Sequence, residues 1–238
     1  MSFSPPLCAV VPALHEEDTI ADVVAGTGAV VDEVIVVDNG SLDATAQRAA
    51  RAGARVVHEP RRGYGAACLT GARAAPADSL LLYLDGDGAD DPAALTRVAA
   101  PVLEGRAALA LGSRTTSGRE RGALKPHQMA ANRAMAALVR VAWGASLSDL
   151  GPMRAISRAQ LIALDMRSPT YGWPLEMIVK AARAGLAIQE VPVPARRRAG
   201  GRSKVSGSLT ASVRTGACFG GVLLRYGVGR RRPPGATA

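Results

Sequence analysis

The sequence predicts an α/β fold: a mostly parallel sheet flanked by helices and followed by a basic C-terminal tail. Three observations predict it. Short apolar runs alternate with segments of about ten residues that pattern as helices, as in repeated βαβ units. One run, Leu80 to Leu84, is apolar throughout, as strands buried on both faces are. Charge is split along the chain: residues 1–190 hold 19 Lys+Arg against 20 Asp+Glu, whereas residues 191–238 hold 10 basic residues and no acid.

Taken in order, Leu7 to Ala13 reads as the first strand and is followed by a helix from about Glu17 to Ala25. Glu33 to Val37 is the second strand. It runs into Asp38-Asn39-Gly40-Ser41, a polar turn carrying helix-capping residues, and then a helix from about Ala44 to Ala52. Ala54 to His58 is a short third strand, Tyr64 to Ala75 a helix, and Leu80 to Leu84 the fourth strand. Pro92 suits the first turn of the next helix. Ala107 to Leu111 is a fifth strand, closing on Gly112-Ser113-Arg114. A long helix is expected from about Lys125 to Trp143, a strand near Met153 to Ser157, a helix over Pro174 to Ala184 and a last strand over Leu186 to Val191.

The 238 residues suit one α/β domain over residues 1–207, with a basic segment over 208–238. Aromatic residues make up only 3%, so the core must rest on Ala, Val and Leu. Cys8, Cys68 and Cys218 form no C-x-x-C pair, which argues against a zinc site and a disulfide framework and fits a reducing cytoplasm. The N-terminus lacks the charged and apolar regions of a signal peptide. The longest uncharged stretch near the C-terminus, Thr215 to Leu224, has ten residues, half the ~20 that cross a bilayer.

Chemistry concentrates after the fourth strand, where Asp85-Gly86-Asp87-Gly88-Ala89-Asp90-Asp91 sets four carboxylates in seven residues. Open α/β sheets bind ligands at the carboxyl edge of their strands. Carboxylates this close repel unless a cation intervenes, and oxygen ligands suit Mg²⁺ or Mn²⁺. The turn is therefore expected to hold a divalent metal with a phosphorylated ligand, Gly86 and Gly88 letting the backbone turn tightly and a bulky ligand approach. A calcium EF-hand is excluded, because Asp90 occupies the loop position that needs glycine. A dinucleotide fold is disfavoured, since Gly63 and Gly65 do not form G-x-G-x-x-G after a strand.

Three motifs resemble the inverting family 2 glycosyltransferases with the GT-A fold: Val11-Pro12-Ala13-Leu14-His15-Glu16-Glu17, Val36-Val37-Asp38-Asn39-Gly40-Ser41-Leu42-Asp43-Ala44-Thr45 and Asp85-Gly86-Asp87. Later segments, Asp149-Leu150-Gly151-Pro152-Met153-Arg154, Tyr171-Gly172-Trp173-Pro174-Leu175-Glu176-Met177 and Glu190-Val191-Pro192-Val193 followed by Arg198, Gly201, Ser203, Lys204 and Gly207, resemble the dolichol-phosphate mannosyltransferase, or polyprenyl-phosphate glycosyltransferase, branch. The resemblance implies that Pro12, Ala13, Glu16 and Asp38 receive the nucleotide, and that Asp85, Gly86, Asp87 and Arg114 hold the donor diphosphate and its metal. Asp87 and Asp149 would be catalytic, Asp149 as general base toward a hydroxyl acceptor or as a positioning charge toward a phosphate. Arg154, Arg198 and Lys204 would meet phosphate, and Trp173 and Glu176 would shape the acceptor site. The sequence departs from the family at His15, where Asn is usual, and at Ala89, where some relatives carry a third metal ligand that Asp90 could replace. His15, His58 and His127 show no ligand spacing and read as incidental.

The expected function is transfer of a hexose from a nucleotide sugar of the GDP-mannose or UDP-glucose type to a polyprenyl phosphate. The enzyme would be cytoplasmic and peripheral on the inner face of the plasma membrane, whose acidic surface attracts the basic tail; no nucleic-acid partner is expected. One alternative keeps the donor chemistry with a soluble hydroxyl acceptor. A more remote one, a non-catalytic lipid- or RNA-binding module, leaves the acidic turn without a purpose.

Overall fold

The computed structural model describes residues 4–114, 126–144, 147–194, 220–222 and 225–226. Arg198, Lys204, Cys218 and most of the expected C-terminal segment lie outside the described residues, as does the side chain of His127.

Among the described residues seven strands form one sheet: β1 Leu7–Ala13, β2 Glu33–Asp38, β3 Arg55–His58, β4 Leu80–Tyr83, β5 Leu109–Ser113, β6 Arg154–Ser157 and β7 Ile188–Pro192. Their order is β3-β2-β1-β4-β6-β5-β7. All run parallel except β6, which is antiparallel to both β4 and β5. The parallel frame matches the expected fold.

Alternation along the strands divides the core between the two faces. Cys8, Val10, Leu81, Tyr83, Leu109 and Leu111 point to one side, under helices α3 Tyr64–Ala74, α5 Pro126–Trp143, α6 Arg158–Ala163 and α7 Trp173–Arg183. Ala9, Val11, Leu80, Leu82 and Ala110 point to the other, under α1 Ile20–Gly28, α2 Thr45–Arg51 and α4 Leu95–Leu103. Because both faces are covered, β4 is buried at every position and reads as a continuous apolar run. The shortage of aromatics is met by close approach. At Gly71 on α3 an added Cβ would stand 2.3 Å from Val10 Cγ1, so helix and sheet meet with no room for a methyl group.

Boundaries shift where side chains take over helix ends. The first helix starts at Ile20 rather than near Glu17, because the Glu16 carbonyl accepts from both Thr19 N and Ile20 N in a preceding turn. Glu17 caps a neighbouring helix instead of its own: its Oε2 accepts from Ala44 N at 3.2 Å, at the start of α2. The six-residue α6, capped by Ser157 Oγ on Gln160 N, was not foreseen. Two residues of the expected tail segment pack against the domain, with Val222 6% exposed and Tyr226 alongside it.

Candidate active site at the carboxyl edge of the sheet

The parallel strands β1, β2 and β4 end at one edge, and the expected donor residues gather there. Ala13 at the end of β1 is buried and Pro12 half-buried. Ala13 pairs with Asp38, the last residue of β2. Asp38 is 5% exposed; its Oδ1 accepts from Ser41 N at 3.1 Å and its Oδ2 faces His58 Nδ1 at 3.3 Å. His58 is thus not incidental: it stands on β3 directly opposite Asp38. His15 also has a structural reason. Its φ is +51°, a left-handed conformation that Asn, Asp and His enter more readily than other residues with a side chain. Its Nδ1 accepts from Leu42 N, and its own N–H donates to Ser41 Oγ. Glu16 N donates to Thr45 Oγ1 at 2.9 Å, which ties this turn to α2.

Asn39 is a clamp. Its amide nitrogen donates to the carbonyls of Glu59 and Arg61, at 2.9 and 2.8 Å, while its Oδ1 accepts from Gly63 N at 2.7 Å. Gly63, at φ +150°, faces the Pro169 carbonyl, which an added Cβ would meet at 2.2 Å. Glu59 steadies the same loop. Hydrogen bonds from Arg61 above all, and from Thr70, hold its carboxyl down at about 2, against the opposing effect of burial.

The acidic turn closes on itself. Asp85 N donates to Asp90 Oδ2 at 3.1 Å, Ala89 N to Asp87 Oδ1 at 2.9 Å, and Ala93 N to Asp91 Oδ1 at 3.2 Å, capping a short 3-10 turn. The Gly86 carbonyl accepts from Thr19 Oγ1 at 2.7 Å, fastening the turn to α1. Asp87 and Asp90 are each 4% exposed and Asp85 is half-buried. Burial first, then the charges of Asp87 and Asp90, push the Asp85 carboxyl up to about 8. Burial likewise lifts Asp90 to about 6. Tyr64 Oη donates to Asp85 Oδ1 at 3.2 Å, and burial keeps this phenol protonated. Such crowded hard-oxygen donors fit a divalent cation. Among the described residues no three His, Cys, Asp or Glu side chains converge as a ready-made cage. An ion held by Asp85 and Asp87 would therefore take further oxygens from its ligand and from water, as Mg²⁺ commonly does. Asp90 is engaged in bracing the Asp85 backbone.

Across the edge stands a second charged unit. The Arg114 guanidinium grips Asp149 with two bonds, Nε to Oδ2 at 2.9 Å and Nη2 to Oδ1 at 3.2 Å, and the Arg114 backbone N–H adds a third at 3.0 Å. Leu150 N also donates to Asp149 Oδ1 at 2.8 Å. Burial would raise the Asp149 carboxyl, but the Arg114 charge and these bonds outweigh it and leave it lowered. Burial would lower Arg114, but the Asp149, Asp90 and Asp85 charges more than reverse this and raise it.

Three expected acceptor or phosphate contacts take other places. Trp173 is 1% exposed, packed 5.1 Å from the Tyr83 ring and 6.4 Å from Tyr64. Glu176, also 1% exposed, accepts from Arg167 N and Ser168 N and pairs with Lys180 at 3.3 Å. Arg154 is buried with Nη1 on the Pro174 carbonyl at 2.7 Å and Nη2 on the Gly151 carbonyl at 3.0 Å. Trp173 and Arg154 tie α7 to the sheet, and Glu176 ties it to the loop at Arg167 and Ser168. Their apolar neighbours on α7, from Leu175 to Val179, are the one sequence signal for this burial. Sequence reasoning also missed the Tyr64–Asp85 and Asp38–His58 contacts, which join residues 21 and 20 positions apart.

Comparison with known proteins identifies the family and the fold. The family model described as glycosyl transferase family 2 matches residues 8–164. An uncharacterized glycosyltransferase of Mycobacterium tuberculosis is 37% identical over 208 residues, covering 86% of this chain and 91% of that protein. A dolichyl-phosphate hexose transferase of Haloferax volcanii is 32% identical, covering 82% of this chain and 84% of its own length. Among solved structures, glucosyl-3-phosphoglycerate synthase of M. tuberculosis, in complex with Mn²⁺, UDP-glucose and phosphoglyceric acid, superposes with a TM-score of 0.75 at 27% identity, covering 94% of this chain and 81% of that one. The same enzyme has been solved with Mg²⁺ and UDP. The chain belongs to glycosyltransferase family 2 and is a glycosyltransferase with an α/β fold of the GT-A type.

Proposed function

We propose that this enzyme transfers a hexose, with inversion, from a nucleoside-diphosphate sugar to a polyprenyl phosphate, using Mg²⁺ or Mn²⁺. The observation that carries the acceptor assignment is the Arg114–Asp149 pair. Asp149 has both oxygens engaged and its carboxyl lowered, which makes it a poor acceptor for a hydroxyl proton. A phosphate acceptor is already ionised near neutral pH and needs no such base. Asp149 then serves to hold Arg114 toward anionic oxygens.

On this reading Pro12, Ala13, Glu16 and Asp38 receive the nucleoside, with Asp38 accepting a base N–H. Asp85 and Asp87 hold the ion, beside Gly86. The ion, when bound, neutralises charge developing on the departing nucleoside diphosphate. Arg114, half-buried at the same edge, adds a planar fork for phosphate oxygens. The likeness to a dolichyl-phosphate hexose transferase supports a lipid acceptor. So does the acid-free, basic segment 191–238, which includes Arg198 and Lys204 and suits an anionic membrane surface. Attachment through this segment would be peripheral; among the described residues no helix is long and apolar enough to cross a membrane.

A second reading, a soluble acceptor bearing phosphate or carboxylate, is favoured by the structural likeness to the phosphoglycerate-using synthase. One experiment separates them. The protein is incubated with Mn²⁺, UDP-glucose or GDP-mannose, and either a short-chain polyprenyl phosphate or 3-phosphoglycerate. Nucleoside diphosphate release and the glycosylated product are then measured. Release dependent on the lipid phosphate is expected; release only with phosphoglycerate establishes the second reading instead.

A further inference from the structure

We propose that Tyr64 is a positioning residue for the metal ligand Asp85, and that the Arg61–Gly65 turn exists to present its hydroxyl. The proposal rests on Asp85 being a metal ligand. Among the described residues Tyr64 Oη is the one hydrogen-bond donor to the Asp85 carboxylate, at 3.2 Å on Oδ1. A carboxylate repelled by Asp87 and Asp90 on its own turn would swing toward water without such an anchor. One donor on Oδ1 fixes the rotamer and leaves Oδ2 for a cation.

The anchor is itself held on several sides. Tyr64 stacks on Tyr171 with ring centroids 6.2 Å apart and meets Trp173 edge-on at 6.4 Å. Its helix begins with Ala66 N on the Pro169 carbonyl at 3.0 Å. At Gly65 an added Cβ would stand 2.1 Å from the Ser168 carbonyl oxygen and 2.8 Å from Trp173 Cβ. Gly63 N is fixed by Asn39 Oδ1 at 2.7 Å. The two glycines flanking Tyr64 therefore sit where only glycine fits, and the side chain between them is aimed at one carboxylate oxygen. Outer partners of this kind commonly alter metal affinity by about 10- to 100-fold.

The test is Mn²⁺ binding in the presence of UDP, read by electron paramagnetic resonance of free Mn²⁺, for the wild type, Tyr64→Phe and Asp85→Asn. Tyr64→Phe keeps both ring contacts and removes only the hydroxyl. The expected result is at least ~10-fold weaker Mn²⁺ binding by Tyr64→Phe, with its metal-free melting temperature within about 3 °C of wild type, and loss of binding by Asp85→Asn. Wild-type affinity in Tyr64→Phe alongside lost binding in Asp85→Asn overturns the role of Tyr64 and leaves Asp85 as ligand. Wild-type affinity in Asp85→Asn removes Asp85 from the metal site and overturns both.

Discussion

Without metal the fold should lose stability as pH rises, because the acidic turn holds a proton that the unfolded chain releases. The Asp85 carboxyl is raised from its ordinary 3.8 to about 8 by burial and by the charges of Asp87 and Asp90. A raised carboxyl contributes stability that is present below about pH 4 and is lost as pH climbs through about 8. The full span is about four units, and one unit is ~1.4 kcal/mol, so the ceiling is on the order of 6 kcal/mol. Asp85 keeps part of its surface in water and solvent screens its charge, so about 2–3 kcal/mol is expected. For a chain of this size that is roughly 5–10 °C of melting temperature between pH 5 and pH 8. The assay is thermal unfolding in chelated buffer across that range, for the wild type and for Asp85→Asn, whose difference removes the Asp85 titration together with its coupling to Asp90 and cancels the groups remote from the turn. Mn²⁺ with UDP should reverse the trend, since a ligand at 100 times its dissociation constant adds about 2.7 kcal/mol. A wild-type curve that runs parallel to that of Asp85→Asn from pH 5 to 8 would refute the reasoning.

Three further perturbations probe the frame around the site. Asp149→Asn leaves Arg114 without its countercharge and should cost about 3–5 kcal/mol in denaturant unfolding. Turnover with a phosphate acceptor should fall while the shape of its pH–rate profile persists; loss of an acidic limb would restore Asp149 as a base. Gly65→Ala drives a methyl group into the Ser168 carbonyl and should destabilise by more than about 3 kcal/mol, seen as a lowered unfolding midpoint, whereas near-normal stability would contradict the close approach of α3 to this loop. Asn39→Asp turns an amide donor shared by two carbonyls into an acceptor and should cost at least about 2 kcal/mol, with donor binding weakened in a UDP titration; unchanged binding would detach the clamp from the site.

The strands were legible because the sheet is covered on both sides, so β1, β2 and β4 print continuous apolar runs whose polar ends mark the ligand edge. Asp38, Asp85 and Asp87 were legible for the same reason, each at or just beyond a strand end. What was hidden depends on distance in sequence. Trp173, Glu176 and Arg154 carry side chains suited to ligands, and their burial, Trp173 and Arg154 between α7 and the sheet and Glu176 against the Arg167–Ser168 loop, shows only in the packing. Local pattern gives no sign that Arg114 will meet Asp149 across 35 residues. The left-handed turn at His15 was visible only as a departure from the family's usual Asn, until its φ supplied the reason.

The direction of β6 was equally invisible, since four residues of Arg-Ala-Ile-Ser read alike either way, and yet the site depends on it. In a fully parallel sheet the segment leading into β6 would enter at the amino edge, far from the acidic turn. Reversed, β6 starts at the carboxyl edge: Arg154 pairs with Tyr83 on one side and Leu111 on the other. Asp149 through Met153 are thereby delivered beside the ends of β4 and β5. Gly112 N donates to the Met153 carbonyl at 2.9 Å, and an added Cβ on Gly151 would meet the Gly112 carbonyl at 2.4 Å, so the segment lies tight against the end of β5 where Arg114 follows. The three parallel strands bring together the acidic turn and the ends of β1 and β2; the one reversed strand brings the buried carboxylate that holds Arg114. Lengthening the turn before β6 by a residue should therefore uncouple the halves. Asp149 would leave Arg114, and turnover would fall while Mn²⁺ binding is retained, because the ties described for the acidic turn run to Thr19 and Tyr64 rather than to the turn before β6.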